Sequence, residues 1–168
     1  MTNYGGQILC LSRPQQGTTF TIYLPARPED LPEPDPAPCP PPQAVAGHET
    51  ILVVDDEPAI LDTCRQALEE CGYGVLTAAS GEQALQAYEG SAQTIDLVIL
   101  DLSMPGMGGL KCLELLLQAH PQTKVLVATG YADEAVTRQI ADLGARDLIG
   151  KPYRFMDLLA KVRALLDA

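Results

Sequence analysis

The chain has 168 residues, 46% of them hydrophobic and 20% charged, which suits one globular domain of ordinary size with some length to spare. Its 22 acidic against 11 basic residues leave a net charge of -11, which argues against nucleic acid or an anionic membrane surface as the main partner. No apolar run approaches the roughly 18 residues a bilayer requires, and the amino terminus lacks the basic start of a signal peptide, so a cytoplasmic location with no membrane contact by this chain is expected.

Residues 1–28 carry two β-type runs, Gln7 to Leu11 and Thr18 to Leu24, around the turn-rich stretch from Ser12 to Gly17, and they predict one β-hairpin. A lone hairpin is marginal in water, so this one is expected to be the severed edge of a larger domain. Residues 29–49 follow as a linker: nine of the fourteen prolines lie between Pro25 and Pro42, and the only charges are Glu29, Asp30, Glu33, Asp35 and Glu49. Proline fixes φ and withholds a backbone donor, so this segment is expected to be extended and solvated. The five cysteines, Cys10, Cys39, Cys64, Cys71 and Cys112, include no CxxC pair and read as reduced packing residues.

From 50 to 168 strand and helix signals alternate. Thr50 to Val54, Gly74 to Ala78, Ile95 to Leu100, Lys124 to Ala128 and Arg146 to Ile149 are apolar or β-branched runs, with helical patterns between and after them. In the first helix Ile60, Leu61, Cys64, Ala67, Leu68 and Cys71 form one stripe, with Pro58 opening the helix and Gly72 closing it. Ser80 with Gln83 suggests a capping box for the second. Strands as apolar as Ile95 to Leu100 are expected to be buried on both faces, which implies a parallel sheet between helices in a doubly wound α/β fold.

In such folds ligands bind at the carboxyl ends of the strands. There the sequence places Asp55 and Asp56 after the first run, Asp101 after the third, Thr129 after the fourth and Lys151 with Pro152 after the fifth. Carboxylates brought together repel one another, at about 4 kcal/mol per pair at 4 Å and an effective dielectric of 20. Oxygen-only ligation suits Mg²⁺, and His48 and His120 lie away from this edge by chain position. A carboxylate beside a divalent cation can attack phosphorus, with Lys151 pairing with one phosphoryl oxygen and the Thr129 hydroxyl donating to another. Relief of the repulsion predicts that Asp55→Asn or Asp101→Asn raises thermal stability without Mg²⁺. Taken singly, each residue also has a bland reading, as a helix cap or a loop start; their convergence favours the site.

These residues resemble the receiver domain of two-component response regulators. The resemblance runs from about Glu49 to Asp167 and rests on Asp55-Asp56 after Ile51-Leu52-Val53-Val54, on Asp101-Leu102-Ser103-Met104-Pro105-Gly106-Met107-Gly108-Gly109, on Thr129-Gly130 and on Gly150-Lys151-Pro152-Tyr153. It implies a flavodoxin-like sheet of strand order 2-1-3-4-5 with five helices, and a phosphoacceptor at Asp101. It further implies Mg²⁺ held by Asp56, Asp101 and the Ser103 carbonyl, with Asp55 acting mainly through water, and Thr129 and Lys151 contacting the phosphoryl group. The phosphodonor is expected to be a histidine kinase or a histidine phosphotransfer protein; a weak homodimer is left open. The Lys151-Pro152 bond is frequently cis in this family. Leu148 stands where the family usually has Phe or Tyr, so the phosphorylation response is expected to stay near the site, with less of it on the fifth strand. Tyr131 is either a shield over the acceptor or an ordinary loop tyrosine.

The amino-terminal runs, Tyr4-Gly5-Gly6-Gln7-Ile8 and Gly17-Thr18-Thr19-Phe20-Thr21-Ile22-Tyr23-Leu24-Pro25, resemble the last two strands of a histidine kinase ATP-binding domain. The resemblance implies the carboxy-terminal piece of a hybrid histidine kinase, without the nucleotide-binding motifs, so the expected chemistry is limited to self-phosphorylation from small donors and autodephosphorylation. The alternative from another class is a receiver-like module that binds partners without phosphorylation. A phosphatase with an aspartyl nucleophile should show a DxD motif where this chain has Asp55-Asp56-Glu57, and a dinucleotide site should have a glycine-rich turn there.

Overall fold

A computed structural model describes residues 7–13, 17–23, 47–90, 94–130 and 134–168. The turn Pro14-Gln15-Gln16, the linker up to residue 46, Cys39 and Tyr131 lie outside the described residues. The chain divides into two units, one ending at Gln43 and one beginning at Ala44.

In the first unit β1 (Gln7–Arg13) pairs antiparallel with β2 (Gly17–Tyr23) in the register Ile8↔Ile22 and Cys10↔Phe20. Gly17 takes φ +91°, a left-handed value that glycine adopts without steric cost. The strands extend past the predicted Leu11 to Arg13, where the Ser12 and Thr18 hydroxyls bond across the ladder at 2.8 Å. Every described residue of the hairpin is exposed, Leu11, Phe20 and Ile22 included.

The second unit is built from β3 (Thr50–Val54), α1 (Pro58–Glu70), β4 (Gly74–Ala78), α2 (Gly81–Gly90), β5 (Leu97–Asp101), α3 (Gly109–Ala119), β6 (Lys124–Thr129), α4 (Glu134–Leu143), β7 (Asp147–Gly150) and α5 (Phe155–Asp167). Its strands form one parallel sheet of order β4-β3-β5-β6-β7, the 2-1-3-4-5 arrangement that the receiver-domain resemblance implies. Period-two alternation sends successive side chains to opposite faces, which is why the strands read as continuous apolar runs. Leu52, Val54, Val98, Leu100, Val125 and Val127 face α2, α3 and α4 through Ala84, Cys112, Leu113, Leu116 and Ile140. Ile51, Val53, Leu97, Ile99, Leu126 and Ala128 face α1 and α5 through Leu61, Cys64, Leu68, Leu158 and Val162. Each fully buried leucine stabilises the fold by about 2 kcal/mol.

Local signals hold with small displacements. Gly72 follows the Cys71 cap of α1 at φ +90°, and Tyr73 N–H donates to Leu68 O at 3.2 Å, closing a Schellman turn. Before α2, Gln83 N–H donates to Ser80 Oγ at 3.3 Å, while Gln83 Oε1 accepts from Ala79 N–H at 2.9 Å, one residue ahead of the predicted reciprocal partner. The third run pairs from Leu97 and not from Ile95, because Asp96 is occupied at the sheet edge: its carboxylate accepts from Thr50 N–H at 2.8 Å and its own N–H donates to Thr50 O at 2.9 Å.

The solvated reading of Glu49 is corrected by the structure. Gly47 is buried against the Tyr73 ring so closely that a Cβ there would lie 2.0 Å from a ring carbon. Arg163 on α5 then reaches Glu49 at 2.7 Å and Asp167 at 2.8 Å. The Arg163 hydrogen bond outweighs partial burial and holds the Glu49 carboxyl down at about 2. The end of the expected linker is therefore clasped between β3 and α5.

Candidate metal and phosphoryl site

Every polar residue expected at the carboxyl edge of the sheet reaches it. β3 ends in Val54, and Asp55 N–H donates to Ala78 O at 3.2 Å, carrying the β3–β4 pairing one step further and fixing Asp55 at the edge. Asp55 Oδ1 accepts from Glu57 N–H at 2.9 Å, an Asx turn that leads the chain into α1. Asp101 is the last residue of β5, and its Oδ1 accepts from Ser103 N–H at 3.1 Å. Thr129 ends β6, and its carbonyl accepts from Lys151 N–H at 2.7 Å, which aligns the start of the Lys151-Pro152 turn with the sheet. The Lys151-Pro152 peptide is cis.

Asp55, Asp101 and Thr129 are buried, and Asp56 is half-buried. One carboxylate oxygen from each of Asp55, Asp56 and Asp101 lies within 4.8 Å of the others. The Lys151 ammonium enters this cluster, 2.7 Å from Asp55 Oδ2 and 3.1 Å from Asp101 Oδ2. Burial disfavours its charged form, but the hydrogen bonds and field of the two carboxylates outweigh that cost and hold the lysine above its ordinary value. Beneath the site, burial pushes the Tyr153 phenol up to about 12, with the Cys64 thiol beside it; burial and the field of Asp55 likewise raise that thiol. The donor set is oxygen only, and one lysine among three carboxylates leaves a net negative cluster, the chemistry that suits a hard divalent cation such as Mg²⁺.

Two contributors were not legible as site residues. Gly109, at the start of α3, sits under the acceptor strand: a Cβ there would lie 2.0 Å from Asp101 O and 2.5 Å from Leu102 Cα. The glycine run from Gly106 to Gly109 was the available signal, since a close backbone approach requires a residue without a side chain. Glu82, in the first turn of α2, accepts from Met107 N–H at 3.2 Å; no sequence pattern marks that contact.

Residues 51–163 match the family described as response regulator receiver domain. The chain is 34% identical over 170 residues to the sensor kinase CckA of Brucella abortus, an alignment covering 97% of this chain and 18% of that protein. It spans about half the length of the curated transcriptional regulatory proteins it also matches. A CheY-like receiver domain protein from Methanospirillum hungatei superposes with a TM-score of 0.67 at 36% identity, over 72% of this chain and 95% of that one. The response regulator TrrA of Thermotoga maritima, solved in complex with Mg²⁺ and BeF, gives a TM-score of 0.62 at 34% identity over 70% of this chain and 98% of its own. Because the family match takes in the acidic cluster together with Thr129 and Lys151, this chain belongs to the response regulator receiver family, whose domains accept a phosphoryl group in two-component signalling.

Proposed function

We propose that Asp101 is the phosphoacceptor, that Asp55, Asp56, Asp101 and the Ser103 carbonyl hold Mg²⁺, and that Thr129 and Lys151 contact the phosphoryl group. The observation that carries this reading is the placement of a buried strand-end carboxylate, Asp101, beside both a lysine and two further carboxylates. A bound divalent cation would offset the charge that otherwise repels an anionic donor. An Asp101 oxygen attacks phosphorus in line, the O–P bond forms as the P–N bond to the donor histidine breaks, and the imidazole nitrogen keeps the electron pair and is protonated. Lys151 moves from its carboxylate partners toward a phosphoryl oxygen, and the Thr129 hydroxyl donates to another. Water attacking phosphorus later releases inorganic phosphate and restores the carboxylate. That the Thermotoga relative was solved in complex with Mg²⁺ and BeF supports an Mg²⁺ site in this chain.

The donor is a histidine kinase or a histidine phosphotransfer protein. Residues 1–28 are read as the end of a kinase ATP-binding domain, 29–49 as a linker and 50–168 as the receiver, so the parent is a hybrid kinase acting in the cytoplasm. Alignment of CckA across 97% of the chain supports this, as does a hairpin whose apolar residues are exposed. Among the described residues no helix is long and apolar enough to cross a membrane. The test is phosphate-affinity gel mobility of the full chain with Mg²⁺ and acetyl phosphate, beside Asp101→Ala. An Mg²⁺-dependent shifted band lost in the variant is expected. No shift with acetyl phosphate or with phosphohistidine carriers would favour a module that binds partners without phosphorylation.

A further inference from the structure

The loop from Asp101 to Gly109 presents both the acceptor carboxylate and the Ser103 backbone, and its two ends are anchored by Leu102 N–H donating to Ala128 O and by Gly108 O accepting from Cys112 N–H, each at 3.1 Å. Near the strand, Ser103 N–H is held by Asp101 Oδ1 at 3.1 Å, and Gly109 N–H donates to Leu102 O at 3.3 Å. Farther out, Gly106 and Gly108 take left-handed φ values of +77° and +76°. Such glycines confer shape but also freedom, which costs order unless something outside the loop restrains it. At the strand end Lys151 Nζ lies 3.1 Å from Asp101 Oδ2, and at the middle of the loop Glu82 Oε1 accepts from Met107 N–H at 3.2 Å.

Glu82 is itself held in place. Gly81 lies so close to α3 that a Cβ on it would be 3.0 Å from Cys112 Cβ and 3.3 Å from Met107 Sδ. The Cys112 thiol donates to Gly81 O at 3.6 Å. The Glu82 carboxyl is kept below its ordinary range by its own backbone N–H, by Ser80 and by Met107. The first turn of α2 is therefore a fixed base, and Glu82 reaches from it to the middle of the loop.

We infer that Glu82 is a positioning residue for phosphoryl uptake: by holding the Met107 peptide it fixes the loop that presents Asp101 and the Ser103 carbonyl to the carboxylate cluster. The inference rests on Asp101 being the acceptor. An acid in a first helical turn also suits the helix dipole, but that role needs no bond to Met107.

The test compares the full chain with Glu82→Ala, Glu82→Gln and Gln83→Ala, reading the initial rate of loading from acetyl phosphate with Mg²⁺ on phosphate-affinity gels, and the melting temperature. Loss of one loop hydrogen bond is expected to slow loading about fivefold in Glu82→Ala. Glu82→Gln keeps the Oε1 acceptor and is expected to restore the rate. Gln83→Ala removes the cap on Ala79 N–H, so it is expected to lower the melting temperature without changing the rate. Loading of Glu82→Ala at the unsubstituted rate overturns the inference while leaving Asp101 as acceptor. So does failure of Glu82→Gln to rescue, which would assign the effect to charge, or an equal loss of rate in Gln83→Ala, which would assign it to helix stability. Absence of loading in the unsubstituted chain overturns the acceptor assignment and this inference with it.

Discussion

Lys151 Nζ lies closer to Asp55 Oδ2, at 2.7 Å, than to the Asp101 carboxylate, at 3.1 Å, although Asp101 is the carboxylate proposed as acceptor. Before phosphoryl arrival the lysine therefore works first as a counter-ion that lets two buried carboxylates coexist. Lys151→Met would leave Asp55 and Asp101 facing each other inside the fold. Breaking a buried pair costs about 3–5 kcal/mol, reduced to about 2 kcal/mol because the lysine is 22% exposed. The expected result is a lower melting temperature in EDTA and a larger Mg²⁺-induced rise than in the unsubstituted chain, since the cation then supplies charge that Lys151 no longer does. Equal rises in a thermal-shift titration would mean that lysine and cation do not share the cluster.

Relief of crowding should centre on Asp56. Asp55 is committed to Lys151 and to Glu57 N–H, so Asp55→Asn sets an amide hydrogen against the ammonium and offsets any gain. Asp56 has no cation partner among the described residues, yet shares the 4.8 Å cluster. Asp56→Asn is therefore expected to raise stability in EDTA by about 1 kcal/mol, roughly 4 °C, and to weaken Mg²⁺ binding. A fall in melting temperature would show that Asp56 is held by bonds and not by strain.

The parallel sheet and the site edge were legible because strands buried on both faces leave a long apolar signature, and because the chain direction of parallel strands sends Asp55, Asp101, Thr129 and Lys151 to one end; the strand order came only from the family resemblance. What stayed hidden depends on contacts between distant residues. Glu49 looked like one more charge in a proline-rich stretch, and only the fold brings Arg163, 114 residues away, onto it. Gly109 sat inside a glycine run whose individual roles are set by how closely α3 approaches Asp101 O, and strand pairing from Leu97 required knowing that Asp96 bonds Thr50.

Leu148 is half-buried, packs against the core cluster that includes Val125, Val127 and Ile140, and offers no ring to rotate. Its N–H is tied to Asp147 Oδ1 at 2.7 Å, and Asp147 pairs with Lys161 on α5. Loading Asp101 should therefore shift the amide resonances of the loops after β5 and β6 more than those of β7. In Leu148→Phe the β7 response should grow. Equal β7 shifts in the two proteins would mean that transmission needs no aromatic side chain.

The clasp between Glu49 and Arg163 should be visible as a pH dependence. The folded carboxyl is lowered from its ordinary 4.5 to about 2, chiefly by the Arg163 hydrogen bond. A depressed carboxylate adds stability that is complete above pH 4.5 and is lost as pH falls through about 2. At neutral pH Glu49→Gln is expected to lose about 1 kcal/mol, a modest figure because the pair keeps some solvent contact. In urea melts from pH 7 down to pH 2.5, the gap between the unsubstituted chain and Glu49→Gln should be constant to about pH 4.5 and then narrow. A gap that stays open through the acid range would show that the contribution does not come from the charge on Glu49.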